Sequence, residues 1–480
     1  MKAVAESLLA KDIASAASAL RTKSVSSQAL VEAALARSHS VQQRLNAFTV
    51  MGDESAAAAA RLCDERDNKL GLLDGIPVCV KDAFCTEGLP TSAGSKMLRG
   101  WQSGYDATSV KRLKAAGAVI VGKNNLDEFC MGSSTVHSVW GPALNPLGEG
   151  LSPGGSSGGT AAAVAAGAAF AGLGTDTGGS VRQPAAMCGV VGFKPSYGAI
   201  SRHGVVAMSS SLDTVSIVAR CVKDVRLVFE AVRGPDGLDS TADEQGHGVA
   251  SDVTASSRLR IGVSNDFYPH ELSEGTAREW KRAALSLGWD GETTLPMPHT
   301  RAALPAYYTI SSAEASSNLA RFDGVRFGHR AAHDSMASLF SKSRSEGFGD
   351  ETTRRILMGT FVLSRDGFEA FFAQAQKVRR LVAADFERAF EQCDVMVVPT
   401  VPSGPRRVAD IASASNPVEE WMGDLFTVSA SLAGLPAISV PVTASAGSDG
   451  MPISMQIVGP RFHDWRVLDV AERLSSQLKA

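Results

Sequence analysis

The sequence carries almost no net charge: 47 Lys and Arg face 50 Asp and Glu in 480 residues, a formal balance of −3. Such a balance gives no electrostatic footprint for gripping a phosphate backbone, so any nucleic acid in its work is expected to be held by a partner. Its seven cysteines, at 63, 79, 85, 130, 188, 221 and 393, include no C-x-x-C pair and no ligand-like spacing to the nine histidines. A structural zinc site is thereby excluded, and a reducing compartment is expected. Long apolar runs are also missing. The longest small-residue stretch, Gly159 to Leu173, is too short and too rich in glycine and alanine to span a membrane, and it reads as a buried helix. The N-terminus lacks the charged-then-apolar pattern of a signal peptide and contains Glu6, Asp12 and Glu32. A cytoplasmic protein is expected, with an organellar matrix or stroma as the alternative. Neither a repeat of fixed period nor a G-x-x-x-x-G-K-[ST] phosphate loop occurs.

What is present is the composition of a globular enzyme-sized chain, 44% hydrophobic and 20% charged. Short apolar runs that read as strands lie at 76–80, 118–121, 190–193, 259–263, 395–398, 438–442 and 453–458. Helical patterns lie between them, at 106–116, 159–170, 222–232, 273–287, 307–340, 366–392, 417–433 and 465–478. This alternation predicts an α/β fold around a large sheet. In the helical N-terminus the break at Ser24 to Ser27 offers an N-cap. The polar stretch Gly234 to Ser257 reads as an exposed connection inside one domain, because strands on both sides could share one sheet. Thr443 to Gly450 reads as a hairpin connection.

The chemistry is concentrated between Leu151 and Ser180, where two Gly-Ser clusters flank one small-residue helix. Glycines allow close backbone approach, so these clusters could aim several N–H groups at a developing oxyanion. Gly154 to Gly158 matches G-x-S-x-G, but a nucleophile elbow needs a strand just before it, and Asn145 to Pro153 reads as a loop. The histidines sit in ordinary contexts such as Gly328-His329-Arg330 and read as solvated, which weakens a Ser-His-Asp hypothesis. A lysine can replace histidine as the base when burial favours its neutral form. Lys81 is the candidate, because the apolar run Gly75 to Val80 would carry it to the end of a buried strand. The competing possibility is a surface pair with Asp82.

At these residues the sequence resembles the amidase signature family: GIPVCVKD at 75–82, GGSSGG at 154–159 and DTGGSVRQPAAMCGVVGFKPSYG at 176–198. Order and spacing agree, with 75 residues from Lys81 to Ser156 and 24 from Ser156 to Ser180. The resemblance implies a single amidase-signature domain over 1–480, a large mixed twisted sheet flanked by helices on both faces. Within it lie N-terminal helices at 1–60, a signature core at 70–230 and a region at 258–480 that completes the sheet and supplies the substrate pocket. It also implies that Ser180 is the nucleophile, Ser156 relays its proton and neutral Lys81 is the base. The N–H groups of Thr177, Gly178, Gly179 and Ser180 would form the oxyanion hole, and Gly155-Ser156 would be a cis peptide. Asp176, Arg182 and Gln183 are read as scaffolding for this loop.

Further segments, at 125–134, 310–328, 343–364 and 376–390, resemble the glutamine-hydrolysing subunits of the amidotransferases that make Gln-tRNA(Gln). By that resemblance Arg355 matches a position that binds the substrate carboxylate, and Asp424 one that binds its ammonium. Without it, Arg355 could be a solvated helix charge and Asp424 an exposed acid beside Glu419 and Glu420. Tyr307 or Tyr308 would line the pocket, with Met131 and Ser133 at its mouth. The implied partners are one subunit that binds tRNA plus a small third one, with ATP and Mg²⁺ used on the tRNA-binding partner and no metal or cofactor in this chain. One departure stands out: where the family has a Gly-Pro pair this sequence has Val215-Ser216-Ile217, so a different local turn is expected. The alternative activity is a stand-alone amidase for small carboxylic amides. A catalytically dead scaffold would have lost one of Lys81, Ser156 or Ser180, and all are present.

Overall fold

The computed structural model describes residues 2–243, 258–267, 272–443 and 450–479. Its strands are β1 (Phe48–Met51), β2 (Pro77–Lys81), β3 (Val119–Asn124), β4 (Ala171–Thr175), β5 (Val191–Lys194), β6 (Val215–Ala219), β7 (Ile261–Gly262), β8 (Val395–Pro399), β9 (Ala437–Pro441) and β10 (Ser454–Val458). They form one ten-stranded sheet in the order β1-β3-β2-β4-β6-β5-β9-β10-β8-β7. The sheet is mixed. β2 runs parallel to β3 and β4, and β7 runs parallel to β8, whereas the other neighbours are antiparallel. Every residue of β2, β3, β4, β6, β8 and β10 is buried, which requires helices on both faces, as expected for an α/β layer structure.

All the expected strands are present, and those flanking the 234–257 connection, β5 and β7, belong to the same sheet. Residues 244–257 of that connection, and 444–449 of the expected hairpin, lie outside the described residues, while the strands that the hairpin would join pair antiparallel. Ser26 caps the helix Ser27–Leu45, its side chain accepting from Ala29 N, where the N-terminal break was expected.

Other expectations need correction. The Gly159 to Leu173 run is not one helix: a buried helix, Gly158–Ala165, turns back and β4 follows at Ala171. Alanine and glycine leave helix and strand undecided, and the sheet position decides. Val215-Ser216-Ile217 is no altered turn but the start of β6, fully buried between β4 and β5. The helical pattern at 307–340 is two helices, Ala303–Asn318 and Met336–Gly347, and the one at 417–433 breaks into Val418–Trp421, a 3-10 turn Met422–Asp424 and Val428–Leu432. A helix absent from the periodic reading, Asp350–Val362, packs on Ala303–Asn318 and carries Arg355.

Candidate active site

β2 and β4 are parallel neighbours, with Val80 opposite Leu173, so Lys81 and Thr175 leave the sheet side by side at its carboxyl edge. Lys81 Nζ donates to Ser156 Oγ at 2.8 Å and to Thr175 Oγ1 at 2.8 Å. The lysine is 0% exposed, and among the described residues no carboxylate lies within ion-pair distance of it. Burial pushes its pKa down from the ordinary lysine value, and Cys130, followed by the more distant Asp127 and Asp176, only partly opposes this. The expected alternative, a surface pair of Lys81 with Asp82, does not form. Asp82 is buried as well, and it pairs instead with the buried Lys123 at 3.1 Å.

Ser156 follows a cis peptide after Gly155, as the resemblance implied, and Gly155 N donates to Gln183 Oε1 at 2.9 Å. Ser157 N donates to the Ser180 carbonyl at 3.0 Å, which sews the first Gly-Ser cluster to the second. Ser180 is buried but for 7% of its surface. The amides of Thr177, Gly178, Gly179 and Ser180 meet no acceptor among the described residues, although all four residues are buried. Four consecutive donors without a partner are unusual in a folded chain and mark a place where an anion is wanted.

The loop that presents these amides is braced from below. Asp176 accepts from Arg182 Nε at 2.9 Å and Nη2 at 2.8 Å, and from the backbone amides of Val181 and Arg182. Burial alone would raise the Asp176 carboxyl, but the guanidinium outweighs it and holds the group below the ordinary carboxylate value. Arg182 also reaches the Thr427 carbonyl at 3.0 Å, Gln456 Oε1 at 3.0 Å and Ser431 Oγ at 2.8 Å. Thr427 Oγ1 in turn donates to the Gly178 carbonyl at 2.6 Å. A side chain at Gly178 would collide with the Tyr307 ring, so only glycine lets the loop lie there.

Tyr307 and Tyr308 stand edge to face, 5.0 Å between centroids, on the helix Ala303–Asn318. Tyr308 joins the two expected charges. Its hydroxyl donates to Asp424 Oδ2 at 3.0 Å, and the Arg355 guanidinium carbon lies 4.5 Å from its ring centre. Trp421 stacks on Tyr308 at 4.3 Å, and Arg355 lies 5.0 Å from the Trp421 ring. Arg355 is 2% exposed and Asp424 5%, so neither is a solvated surface charge. Glu351 Oε1 accepts from Arg355 Nε at 2.7 Å, while the two Nη groups meet no acceptor among the described residues. Ser133 Oγ donates to Asp424 Oδ2 at 2.7 Å, and burial raises the Asp424 carboxyl to about 7 against the pull of Ser133, Tyr308 and Arg355. Met131 differs from its expected neighbour: its side chain is packed in a satellite apolar cluster with Met97, Phe129 and Phe348.

Asp127, His137 and Glu420 bring a ligand atom each within 4.8 Å of one another. Their oxygens already face donors: Asp127 accepts the amides of Ser134, Thr135 and His137, and Glu420 accepts from Ser133, Ser134 and His137. That is the environment of a hydrogen-bonded ion pair rather than of a cation. The histidines are not uniformly solvated. His137 is half-buried against Glu420 at 3.0 Å, and His299 meets the buried Asp385 at 2.9 Å.

Sequence reasoning missed Thr175, Glu351 and Trp421. Thr175 ends a strand hidden in the small-residue run. Glu351 was signalled only by its i, i+4 spacing to Arg355, a pairing common on any helix.

A family model described as Amidase matches residues 29–468. The chain is 43% identical over 486 aligned positions to the A subunit of the glutamyl-tRNA(Gln) amidotransferase of Anaeromyxobacter sp. (strain K), covering 100% of this chain and 98% of that one. Among solved structures, the A subunit of the glutamyl-tRNA(Gln) amidotransferase from Thermotoga maritima superposes with a TM-score of 0.75 at 37% identity, covering 92% of this chain and 91% of its own. A 6-aminohexanoate cyclic dimer hydrolase with bound substrate superposes with a TM-score of 0.80 at 26% identity, covering 98% of each.

Proposed function

The chain belongs to the amidase family, and on that footing we propose that it hydrolyses the side-chain amide of glutamine and delivers the ammonia to a partner that converts Glu-tRNA(Gln) to Gln-tRNA(Gln). The observation that carries the choice of glutamine is the buried pair of opposite charges on one ring, Arg355 over the face of Tyr308 and Asp424 on its hydroxyl. A substrate with both an α-carboxylate and an α-ammonium uses both. The open Nη fork of Arg355 suits the carboxylate, and an arriving ammonium draws Asp424, raised to about 7 by burial, into its ionised form.

In this reading Ser180 Oγ attacks the amide carbon, and its proton passes through Ser156 Oγ to the neutral amine of Lys81. The negative charge that forms on the carbonyl oxygen is met by the unpartnered amides from Thr177 to Ser180, which cost nothing to reorient. Lys81 returns the proton through Ser156 to the leaving nitrogen, and ammonia departs. Water then attacks the ester left on Ser180, giving its proton to the same relay, and glutamate is released with the Ser180 hydroxyl restored. The work is divided within the assembly: a tRNA-binding partner uses ATP and Mg²⁺ to activate the tRNA-bound glutamate, and a small third component completes the complex.

The second reading, a stand-alone amidase for small carboxylic amides, has the same hydrolytic residues and draws on the likeness to the cyclic dimer hydrolase. Substrate competition separates the two. The purified chain, alone and with the proteins that co-purify with it, is assayed on glutamine, propionamide and benzamide. Preference for glutamine and recovery of a tRNA-binding partner support the first reading, and preference for either simple amide replaces it with the second.

A further inference from the structure

Asp424 is not held by its own segment alone. Ser133 is gripped by two carboxylates one helical turn apart: its Oγ donates to Asp424 Oδ2 at 2.7 Å, and its amide donates to Glu420 Oε1 at 2.9 Å. The same Glu420 oxygen accepts from Ser134 Oγ at 2.7 Å, and Glu420 Oε2 meets His137 Nε2 at 3.0 Å. On the other side of the loop, Asp127 accepts the amides of Ser134, Thr135 and His137 at 3.3, 2.8 and 3.1 Å. The loop from Ser133 to His137 is therefore fixed from behind by Asp127 and joined in front to the segment that carries Trp421 by two side chains of that segment, Asp424 at Ser133 alone and Glu420 at Ser133, Ser134 and His137. None of the hydrogen-bond partners of Glu420 or His137 is Lys81, Ser156, Thr175 or Ser180.

We propose that Glu420 and His137 are positioning residues for substrate recognition: their ion pair holds Ser133 in place and, through Ser133, sets the carboxylate of Asp424 that receives the α-ammonium of the substrate. The inference rests on the glutaminase reading and deepens it. The pair is charged at neutrality. Burial opposes the charge on each partner, but the hydrogen bond and mutual attraction outweigh it, so His137 is held above and Glu420 below the ordinary range. The acids that face His137 from neighbouring elements, Asp127 and Glu128 after β3 and Glu351 on the helix Asp350–Val362, add to its retention of the proton. A neutral side chain at 420 keeps the acceptor for Ser133 but loses the anchor to His137, and loss of the side chain frees Ser133 altogether.

The test compares two substrates on the full chain in its native assembly: glutamine, and 5-amino-5-oxopentanoate, which is glutamine without its α-ammonium. Glu420→Ala should raise KM for glutamine about tenfold with kcat little changed, and should leave both parameters for the second substrate near those of the unmodified chain. Glu420→Gln should fall between. His137→Ala should raise KM for glutamine in the same way, and the Glu420→Ala/His137→Ala double variant should cost no more than the worse single one, because the two act as a unit. Equal losses on both substrates, or a fall in kcat on both, would assign Glu420 a general structural role and overturn the proposal, as would unchanged KM for glutamine. If the unmodified chain cleaves 5-amino-5-oxopentanoate and simple amides but not glutamine, the glutaminase reading itself falls, and the proposal with it.

Discussion

Lys81 and Asp82 are adjacent in the chain and both fully buried, yet they serve separate networks. Lys81 Nζ is hydrogen-bonded to Ser156 and Thr175, whereas Asp82 pairs with Lys123 on the neighbouring strand and accepts from Ser92. β2 ends at Lys81 and the chain turns at Asp82, which keeps the amine away from the nearest carboxylate in the chain. The separation matters for the proposed mechanism, since a carboxylate against Lys81 would stabilise its charged form and leave no neutral amine to act as base.

Replacing Lys81 by Met keeps most of the volume and removes the amine. Glutamine hydrolysis should fall by about 10²–10⁴-fold, the usual share of a general base. The melting temperature should stay level or rise, because a buried amine is costly to desolvate. Ser180→Ala should abolish turnover without unfolding the chain. Steady-state rates beside circular-dichroism melts check both, and wild-type rates in either folded variant would refute the assigned roles.

The rate should depend on pH through the same amine. Lys81 is shifted below the ordinary lysine value by burial, so the active neutral form gains as pH rises and is lost on acidification. The expected profile of kcat/KM climbs from the acid side to a plateau. A flat profile between about pH 5 and pH 9, with the fold intact throughout, would rule out a lysine base.

Lys194 offers a stability test that is independent of catalysis. It is buried, with its pKa lowered from 10.5 to about 7 by burial and by Arg182, and it donates to the Pro195 carbonyl. Between those two values the unfolded chain binds a proton that the folded chain refuses, so Lys194 costs stability progressively as pH falls from 10.5 to about 7 and by a constant amount below. Lys194→Met should therefore raise the melting temperature most at neutral pH and less at about pH 9.5. Lys81 and Lys123 are common to both chains and cancel. A gap that widens with pH would contradict the assignment.

At the pocket, Arg355→Ala should reduce glutamine turnover by roughly tenfold to a hundredfold, as expected when a charge-assisted contact of about 2–5 kcal/mol is lost. Arg355→Lys should recover little, because a lysine supplies no fork for a carboxylate. Supplied with ammonium salt, the variant in its assembly should still amidate Glu-tRNA(Gln) at close to the normal rate. Equal loss of glutamine-dependent and ammonia-dependent activity would assign Arg355 to folding or assembly instead.

How much of this was legible depends on where each residue's partners lie. Lys81 could be singled out because a lysine closing a run of buried apolar residues is rare, and the Gly-Ser clusters because few structures need so many unhindered amides. Thr175 could not, since nothing in Ala-Gly-Leu-Gly-Thr distinguishes a strand from the end of a small-residue helix until β2 and β6 pair with it. Val215-Ser216-Ile217 was misjudged for the same reason: its place between two strands is a tertiary fact. Trp421 and Glu420 sit on a helix broken by a 3-10 turn, so the regular spacing that exposes a helix face was lost where the pocket is built. The histidine of the ion pair, 283 positions from its glutamate, had no local signal at all.

The reach of Arg182 has a consequence for the order in which the protein is made. Its guanidinium is held by Asp176 from the same loop, but also by Thr427, Ser431 and Gln456, the last of these on β10. Synthesis delivers Ser180 to the tunnel exit long before it delivers β10, and during that interval the loop under Ser180 lacks the part of its brace that comes from Thr427, Ser431 and Gln456. On the proposed function the loop under Ser180 is thus completed late in synthesis, and a chain whose translation stops before Gln456 should lack the Gln456 contact to Arg182 and lose glutamine hydrolysis.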